Sequence, residues 1–481
     1  MTHETLLGLL VCAPLLGAFV LPLVALVSES LRNALALALV GVSFVCAALL
    51  VPVVATGATV AIRLPLAIGD TLFYADGLAV FMALVSTSVG AVIVFYSFAY
   101  IRHYENRDEY YSMVVLFLGS MMGLVFSGNL ILLFIFWELT AIASWRLIGY
   151  FRKESDVLRA NKAFLVTVFG ALLMLLGFVM LWSATGSFDL AEIKSRLTGN
   201  PISDVALVLI LVGILSKSAT LPFHTWLPDA GVAPSPVTSL LHAAVLVKIG
   251  VYVFARLFVV NFAYSNFGHT LVLVLAAASA LVSAGAALIE TDLKRIIAYS
   301  TVSQIAFIFL GLASGTAIGI TGALLYILMH GLAKGGLFLC AGIVEHQTHT
   351  KDITKMGGLR HAMPITALSF LLCALSVMGV PPLGGFFSKA MVIMGAADAG
   401  RPWIAATFVV GAIFTILYLF RVFNRVFLGE SASGEHTREG SRTMVGSVAA
   451  LTVLSLVAGV AINWPGKLAE LAVTQMLGVV K

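Results

Sequence analysis

Residues 216–250 read SKSATLPFHTWLPDAGVAPSPVTSLLHAAVLVKIG. Lys217 closes an apolar run, Pro222 and Pro228 interrupt the helical pattern straight after it, and a second apolar run carries His242 and Lys248. Proline removes a backbone donor and clashes with the preceding turn, so it kinks or ends a helix. An ionisable group at bilayer depth is costly and faces a protein interior or a water path. A broken helix beside a buried cation is how an ion pathway through a membrane reads in sequence.

The composition agrees. Of 481 residues, 60% are hydrophobic and 11% charged, against about 25% charged in soluble domains. Apolar runs of about 20 residues recur, each long enough to cross about 30 Å of hydrocarbon. They lack the strict alternation of a membrane β-barrel. The expected class is an all-α membrane protein of about 14 transmembrane helices. The net charge of +5 is scattered, with no Lys/Arg block, so nucleic acid is not expected as a partner. Cys12, Cys46, Cys340 and Cys373 stand singly in apolar runs, and His346 and His349 have no third ligand in view. No metal and no cofactor is expected in this chain. The first run lacks a basic n-region and is too long for a signal h-region, so it reads as a retained helix.

Before the broken stretch, spans are expected at 5–27, 33–55, 77–101, 112–126, 130–150 (with Glu138) and 163–182. The alternating GATVAIRLPLAIGDTLFYAD between the second and third reads as a short surface hairpin. The broken seventh span begins near Val205. Later spans fall at 237–258, 270–289, 296–312, 317–344 (with His330 and Lys334), 364–394 (interrupted at Pro381-Pro382), 403–427 and 444–462, with a short amphipathic tail after Trp464. Alternate loops hold most of the Lys and Arg: Arg32; Arg102 and Arg107; Arg152, Lys153, Arg159 and Lys162; Lys294 and Arg295; Lys351, Lys355 and Arg360; Arg425, Arg438 and Arg442. The other loops hold chiefly Arg63, Lys194, Arg196 and Arg401. The positive-inside bias puts both termini on the outer face.

A weak symmetry links the two interrupted spans. Ser216-Lys217 precedes the prolines of the seventh, and Ser388-Lys389 follows those of the twelfth. An offset of five spans reverses the direction of crossing, which implies two units of inverted topology with a transfer site between them.

Eight groups at membrane depth carry the chemistry: Glu138, Lys217, His224, His242, Lys248, His330, Lys334 and Lys389. Desolvation weakens an amine's hold on its proton, and a nearby carboxylate strengthens it, so moving a charge toggles proton affinity. His330 and Lys334 share a helix face, and histidine relays protons near neutrality. Simpler readings stand beside these. Lys248 and Lys334 snorkel to an interface; His224 bonds a freed carbonyl; His242 is a satisfied core histidine. Arg146, eight residues after Glu138, pairs with it or anchors the surface.

At these residues a family resemblance enters. FWELTAIASWRLIGY, the stretch 216–252, LKRIIAYSTVSQIAF, HGLAKGGLFLCAGI and GVPPLGGFFSK, in that order, resemble the antiporter-like proton-translocating subunits of respiratory complex I, group 4 membrane-bound hydrogenases and Mrp-type Na⁺/H⁺ antiporters. The resemblance covers about Tyr74 to Arg425. It implies 14 helices with inverted five-helix repeats: helices 1–3 with a hairpin in 1–110, a first repeat in 111–260, a second in 261–430, and a final helix and tail in 431–481. It also implies proton transfer by Glu138, Lys217, Lys248 and Lys389, with His330 and Lys334 as polar groups of the eleventh helix. Arg146 departs from the apolar residue expected there. Implied partners are other membrane subunits, among them further antiporter-like ones. The moved ion is H⁺, joined by Na⁺ in an antiporter, and redox cofactors are confined to partner subunits. The setting is the cytoplasmic membrane of a prokaryote. Two functions follow. One is a non-redox proton-translocating subunit of a redox-driven complex such as NADH:quinone oxidoreductase or a hydrogenase. The other is a subunit of an Mrp-type Na⁺/H⁺ antiporter without redox coupling.

Overall fold

The computed structural model describes residues 1–65, 69–430 and 437–478. Its helices are α1 His3–Ala25, α2 Glu29–Ala55, α3 Gly77–Tyr100, α4 Arg107–Phe126, α5 Leu130–Ile148, α6 Glu154–Thr185, α7 Leu190–Leu197, α8 Asp204–Lys217, α9 Trp226–Asp229, α10 Ser235–Ser239, α11 Leu246–Phe254, α12 Asn266–Ile289, α13 Leu293–Ala313, α14 Ala317–Thr348, α15 Pro364–Met378, α16 Gly384–Asp398, α17 Pro402–Phe427, α18 Arg442–Val460 and α19 Asn463–Met476. The chain is an all-α membrane protein. Among the described residues, twelve segments are long and apolar enough to cross a membrane, α10 and α11 counting as one. The two interrupted elements, α8 and the α15–α16 pair, fall short of that length; the expected fourteen requires one crossing by each.

Hydropathy alone does not say which way a helix faces, because lipid and protein interior are both apolar. α13 and α14 are enclosed on nearly all sides, whereas α6 turns Leu165, Phe169, Leu172 and Leu176 outward. The hairpin is present: β1 Val60–Arg63 pairs antiparallel with β2 Thr71–Ala75 in the register Val60↔Ala75. β1 packs on α1, and β2 leads into α3, whose cap Asp76 accepts from the Ala79 N–H at 2.9 Å. The tail reaches the same place. Gln475 of α19 accepts from the Gly77 N–H at 2.7 Å and donates to the Val54 carbonyl at 2.8 Å. The start of α1 and the end of α19 therefore lie at one end of the bundle.

The opposite end is tied by ion pairs between the loops richest in Lys and Arg. Arg32 meets Asp108, Arg107 meets Glu29 at 2.8 Å, and Asp229 takes both Lys162 and Arg295 at 2.6 Å. Arg146 belongs here: it pairs with Glu109, which also holds Arg152 at 2.7 Å. The pairing with Glu138 is not made, because Arg146 is a full two turns nearer this end. Burial alone would raise the Asp229 carboxyl, but the hydrogen bonds and charges of Lys162 and Arg295 hold it below the usual carboxylate range.

Each interruption leaves backbone groups that need partners in a medium without water. After α8, the Trp226 indole donates to the Ser216 carbonyl at 2.9 Å, and the Leu221 N–H donates to Ser279 Oγ at 3.1 Å. After α15, Gly379 adopts φ +86°, which only glycine takes without strain, and its N–H closes the helix on Leu375 O at 3.1 Å. The eighth span, read as continuous, contains π-helical turns at Leu240–Ala244 and Ala255–Asn261.

Candidate functional site

Lys217, Lys248, Lys334 and Lys389 come from four different helices, and all four are buried. Among the described residues none is in an ion pair. Each instead gives a donor to a backbone carbonyl: Lys217 to Trp137 O at 3.0 Å, Lys248 to Ala243 O, Lys334 to Ile297 O at 3.1 Å, and Lys389 to Val377 O at 2.7 Å. The reading of Lys248 and Lys334 as snorkelling side chains is thereby excluded.

One of these carbonyl sites follows from an interruption. The last carbonyls of a helix lack intrahelical partners and form the negative pole of its dipole. Val377 lies in the last turn of α15, whereas Lys217, the last residue of α8, reaches a carbonyl in the middle of α5. Aromatic faces complete both settings. Lys217 Nζ lies 5.3 Å from the Trp137 ring centroid, and Lys389 Nζ lies 4.6 Å from that of Phe307 and 5.5 Å from that of Tyr326. The third carbonyl, Ala243 O, belongs to the π-helical turn before α11.

Close packing brings the elements together. A Cβ on Gly331 of α14 would stand 2.8 Å from Lys248 Nζ, and one on Gly250 would stand 2.1 Å from Ser218 Oγ. α14 thus lies against the Lys248 ammonium, and α11 against the end of α8. His330 is within electrostatic reach of Lys248, Lys334, Lys389 and His242. Among the described residues no protein group bonds either ring nitrogen of His330 or His242; His242 rests on Phe338 at 4.5 Å between centroids.

Glu138 is half-buried, on the face of α5 that carries the exposed Ile135 and Ile142. Its Oε1 is buried with no hydrogen-bond partner among the described residues, and it lies within electrostatic reach of Lys217. His224 stands apart from the others. It is half-buried in the break after α8, with the charge of Lys162 near it.

Three polar groupings were not singled out from sequence. In the first, Lys334 also donates to Ser300 Oγ, which is 2.7 Å from Tyr418 OH; Gln304 Nε2 donates to Tyr418 OH at 3.3 Å and to Thr415 Oγ1 at 3.1 Å; Tyr326 OH donates to Gln304 Oε1 at 2.5 Å. The signal was an amide in the middle of an apolar run. In the second, Lys294, read as a loop charge, is buried, pairs with Glu345 at 2.6 Å, donates to Ala233 O at 3.2 Å and is within electrostatic reach of His242. In the third, Arg256 grips Asp76 at 2.5 and 2.8 Å and bonds Tyr252 OH at 2.9 Å. An arginine inside the eighth span was the available sign.

The chain is similar to known membrane subunits. A family described as NADH:quinone oxidoreductase/Mrp antiporter, TM, matches residues 127–415, and one described as NADH-Ubiquinone oxidoreductase (complex I), chain 5 N-terminus, matches 69–111. A Na(+)/H(+) antiporter subunit of Alkalihalophilus pseudofirmus is 36% identical over 417 residues, covering 79% of this chain and 51% of that protein. Its counterpart in Staphylococcus haemolyticus, also a Na(+)/H(+) antiporter subunit, is 36% identical over 427 residues, covering 82% and 53%. The chain spans about half the length of these curated relatives. Among solved structures, the Mrp complex from Dietzia sp. DQ12-45-1b contains a chain of TM-score 0.90 at 25% identity, with 100% of this chain and 98% of that one covered. A chain of an archaeal membrane-bound sulfane sulfur reductase gives 0.91 at 26% identity, covering 99% and 98%. A chain of respiratory complex I from Thermus thermophilus gives 0.84 at 25% identity, covering 98% and 99%. The family match runs from just before α5 into α17 and so takes in every one of the buried lysines; the chain belongs to the NADH:quinone oxidoreductase/Mrp antiporter family of antiporter-like membrane subunits.

Proposed function

We propose that this chain carries protons through the membrane along Glu138, Lys217, Lys248, His330, Lys334 and Lys389, as an ion-translocating subunit of an Mrp-type cation/proton antiporter. The observation that carries the reading is the set of four buried lysines without ion-pair partners. A buried ammonium lacking a counter-ion is costly, and giving up its proton removes that cost. Four such groups on four helices make little sense as structural devices. They make sense as stations that load and unload. His242 and Lys294 connect the file to the ion-paired end, and His224 serves that end.

The half-exposed Glu138 supports the expectation of partner subunits. A carboxylate between Ile135 and Ile142 is poorly placed against lipid, so a neighbouring membrane subunit covers it and sets its charge. In this reading the divisions at 110, 260 and 430 separate the two inverted halves from their flanks. The ion-paired end faces the cytoplasm of a prokaryote and both termini face outward, as the Lys/Arg bias argues.

Redox-driven pumping is the second reading, favoured by the TM-scores of 0.91 and 0.84 with chains of two respiratory complexes. The antiporter relatives at 36% identity weigh toward exchange. Inverted vesicles holding the assembled complex decide between them. Collapse of an imposed proton gradient on adding Na⁺ or K⁺, with no electron donor present, is expected for the antiporter. Proton movement that starts only with an electron donor overturns it in favour of the pump.

A further inference from the structure

At the ion-paired end, a cavity of about 310 Å³ opens between the start of α2, the end of α3 and the start of α4. Arg32, Arg102 and Arg107 line it. Arg32 is buried; it meets Asp108, donates to Asn33 Oδ1 at 3.2 and 2.9 Å, and lies 4.7 Å from the Tyr111 ring centroid. Arg107 holds Glu29 through two contacts of 2.8 Å. Arg102 is exposed and, among the described residues, makes no hydrogen bond or ion pair. Three guanidinium charges thus face two carboxylates, and one positive charge is left over. The helix ends add to it. Glu29 and Ser30 open α2 and Arg107 opens α4, so the positive poles of two long helices converge on the cavity. Asn106, at the N-cap of α4, makes no side-chain capping bond. One edge of the cavity is apolar. Phe98 lines it and stands edge-to-face with the exposed Phe95 at 5.6 Å, one turn further into the membrane on α3. Leu31, in the first turn of α2, is also exposed.

We propose that this cavity is a headgroup site for an anionic phospholipid of the leaflet at the ion-paired end. The phosphate oxygens meet the Arg102 guanidinium and the positive pole of α4, and an acyl chain leaves past Phe98 and Phe95. A guanidinium fork matches phosphate oxygens, and basic pockets between membrane helices hold acidic headgroups. Charge selects the ligand. The excess positive charge is neutralised by the single negative charge of a phosphatidylglycerol headgroup, whereas a zwitterionic headgroup brings no net charge. The apolar edge selects lipid over a free anion, because inorganic phosphate leaves Phe95 and Leu31 uncovered. Glu29 does not oppose the ligand, since Arg107 engages it. An occupant joins α2 to α3 and α4, so it stabilises the assembled chain. The site is independent of the lysine file and of which ion the chain moves.

The test uses the purified complex containing this chain, stripped of lipid. Its thermal unfolding midpoint is followed as phosphatidylglycerol, phosphatidylcholine or inorganic phosphate is added. A saturable rise is expected with phosphatidylglycerol alone. Arg102→Gln breaks no bond among the described residues and should require about tenfold more phosphatidylglycerol for the same rise. Lys153→Gln removes an exposed charge at the same end but outside the cavity, and should leave the parental requirement unchanged. Native mass spectrometry should find one phosphatidylglycerol fewer on the Arg102→Gln complex than on the parent. An equal rise with phosphatidylcholine overturns the site by removing charge recognition, and an equal rise with inorganic phosphate overturns it in favour of a free anion. Equal weakening in both variants also overturns it, because leaflet charge would then act on the whole surface. Parental lipid dependence in Arg102→Gln overturns it as well; where a neighbouring subunit is lost from that complex, the cavity belongs to a protein contact.

Discussion

The two interrupted helices each place a buried lysine beside the break and bond it to a backbone carbonyl, from opposite directions. Lys217 ends its own half-helix and reaches across to Trp137 of α5, with Glu138 the next residue on that helix. Lys389 follows its interruption and reaches back to Val377, at the end of the half-helix before it. Around them the halves differ. The first has a carboxylate on the rim of the chain, open to a neighbour. The second has two aromatic rings and a clamped amide, all inside. The two lysines thus sit in different surroundings: one beside a carboxylate on the rim of the chain, the other wholly enclosed.

Giving the first half the chemistry of the second should have the largest effect. Glu138→Gln removes the charge that acts on Lys217 with little change in shape, and Na⁺-driven proton movement in vesicles should fall about a hundredfold at normal assembly. A parental rate would erase the distinction between the halves. Loosening the second half should do less. Tyr418→Phe removes the hydroxyl that joins Ser300 to Gln304, at a cost of about 1 kcal/mol in thermal stability of the purified complex, and exchange should change by no more than about threefold. A larger loss would make the hydroxyl part of the path. The smallest effect is expected outside the membrane. Asp229 is held ionised by Lys162 and Arg295, and Asp229→Asn should cost less than about 1 kcal/mol because water screens the cluster. The Asp229 carboxyl lies lower in the fold than in the unfolded chain. Its stabilisation is therefore complete above the unfolded value, near about pH 4, and lost as pH falls through the folded one. Stability curves of parent and variant should converge at acid pH. A constant gap down to the most acid pH would remove the ion pairs as the cause.

Much of this was legible because membranes make polar residues conspicuous. A lysine in an apolar run is visible wherever it stands, and prolines beside Lys217 and Lys389 marked the interruptions. The hairpin followed from alternation. What escaped was direction. Hydropathy treats lipid and protein interior alike, so nothing placed Glu138 on the rim or turned Arg146 to Glu109. Lys294 passed as a loop charge because burial at a helix end depends on what packs above it, here Glu345 of α14. Gln304 escaped because one amide among Ser and Thr costs little hydropathy, and only three-dimensional neighbours fix which of its atoms donates. The π-helical turns around His242 and Arg256 left no local mark either, since each depends on contacts made by neighbouring helices.

Lys248 lies between the π-helical turn of Ala243 and Gly331 of α14, and it tests the proposed continuity of the file most directly. Lys248→Met keeps nearly the same volume and removes only the exchangeable proton. Cation-driven proton movement by vesicles with a normal content of assembled complex should fall to the level of vesicles lacking it. Movement at the parental rate would contradict a path through the buried lysines.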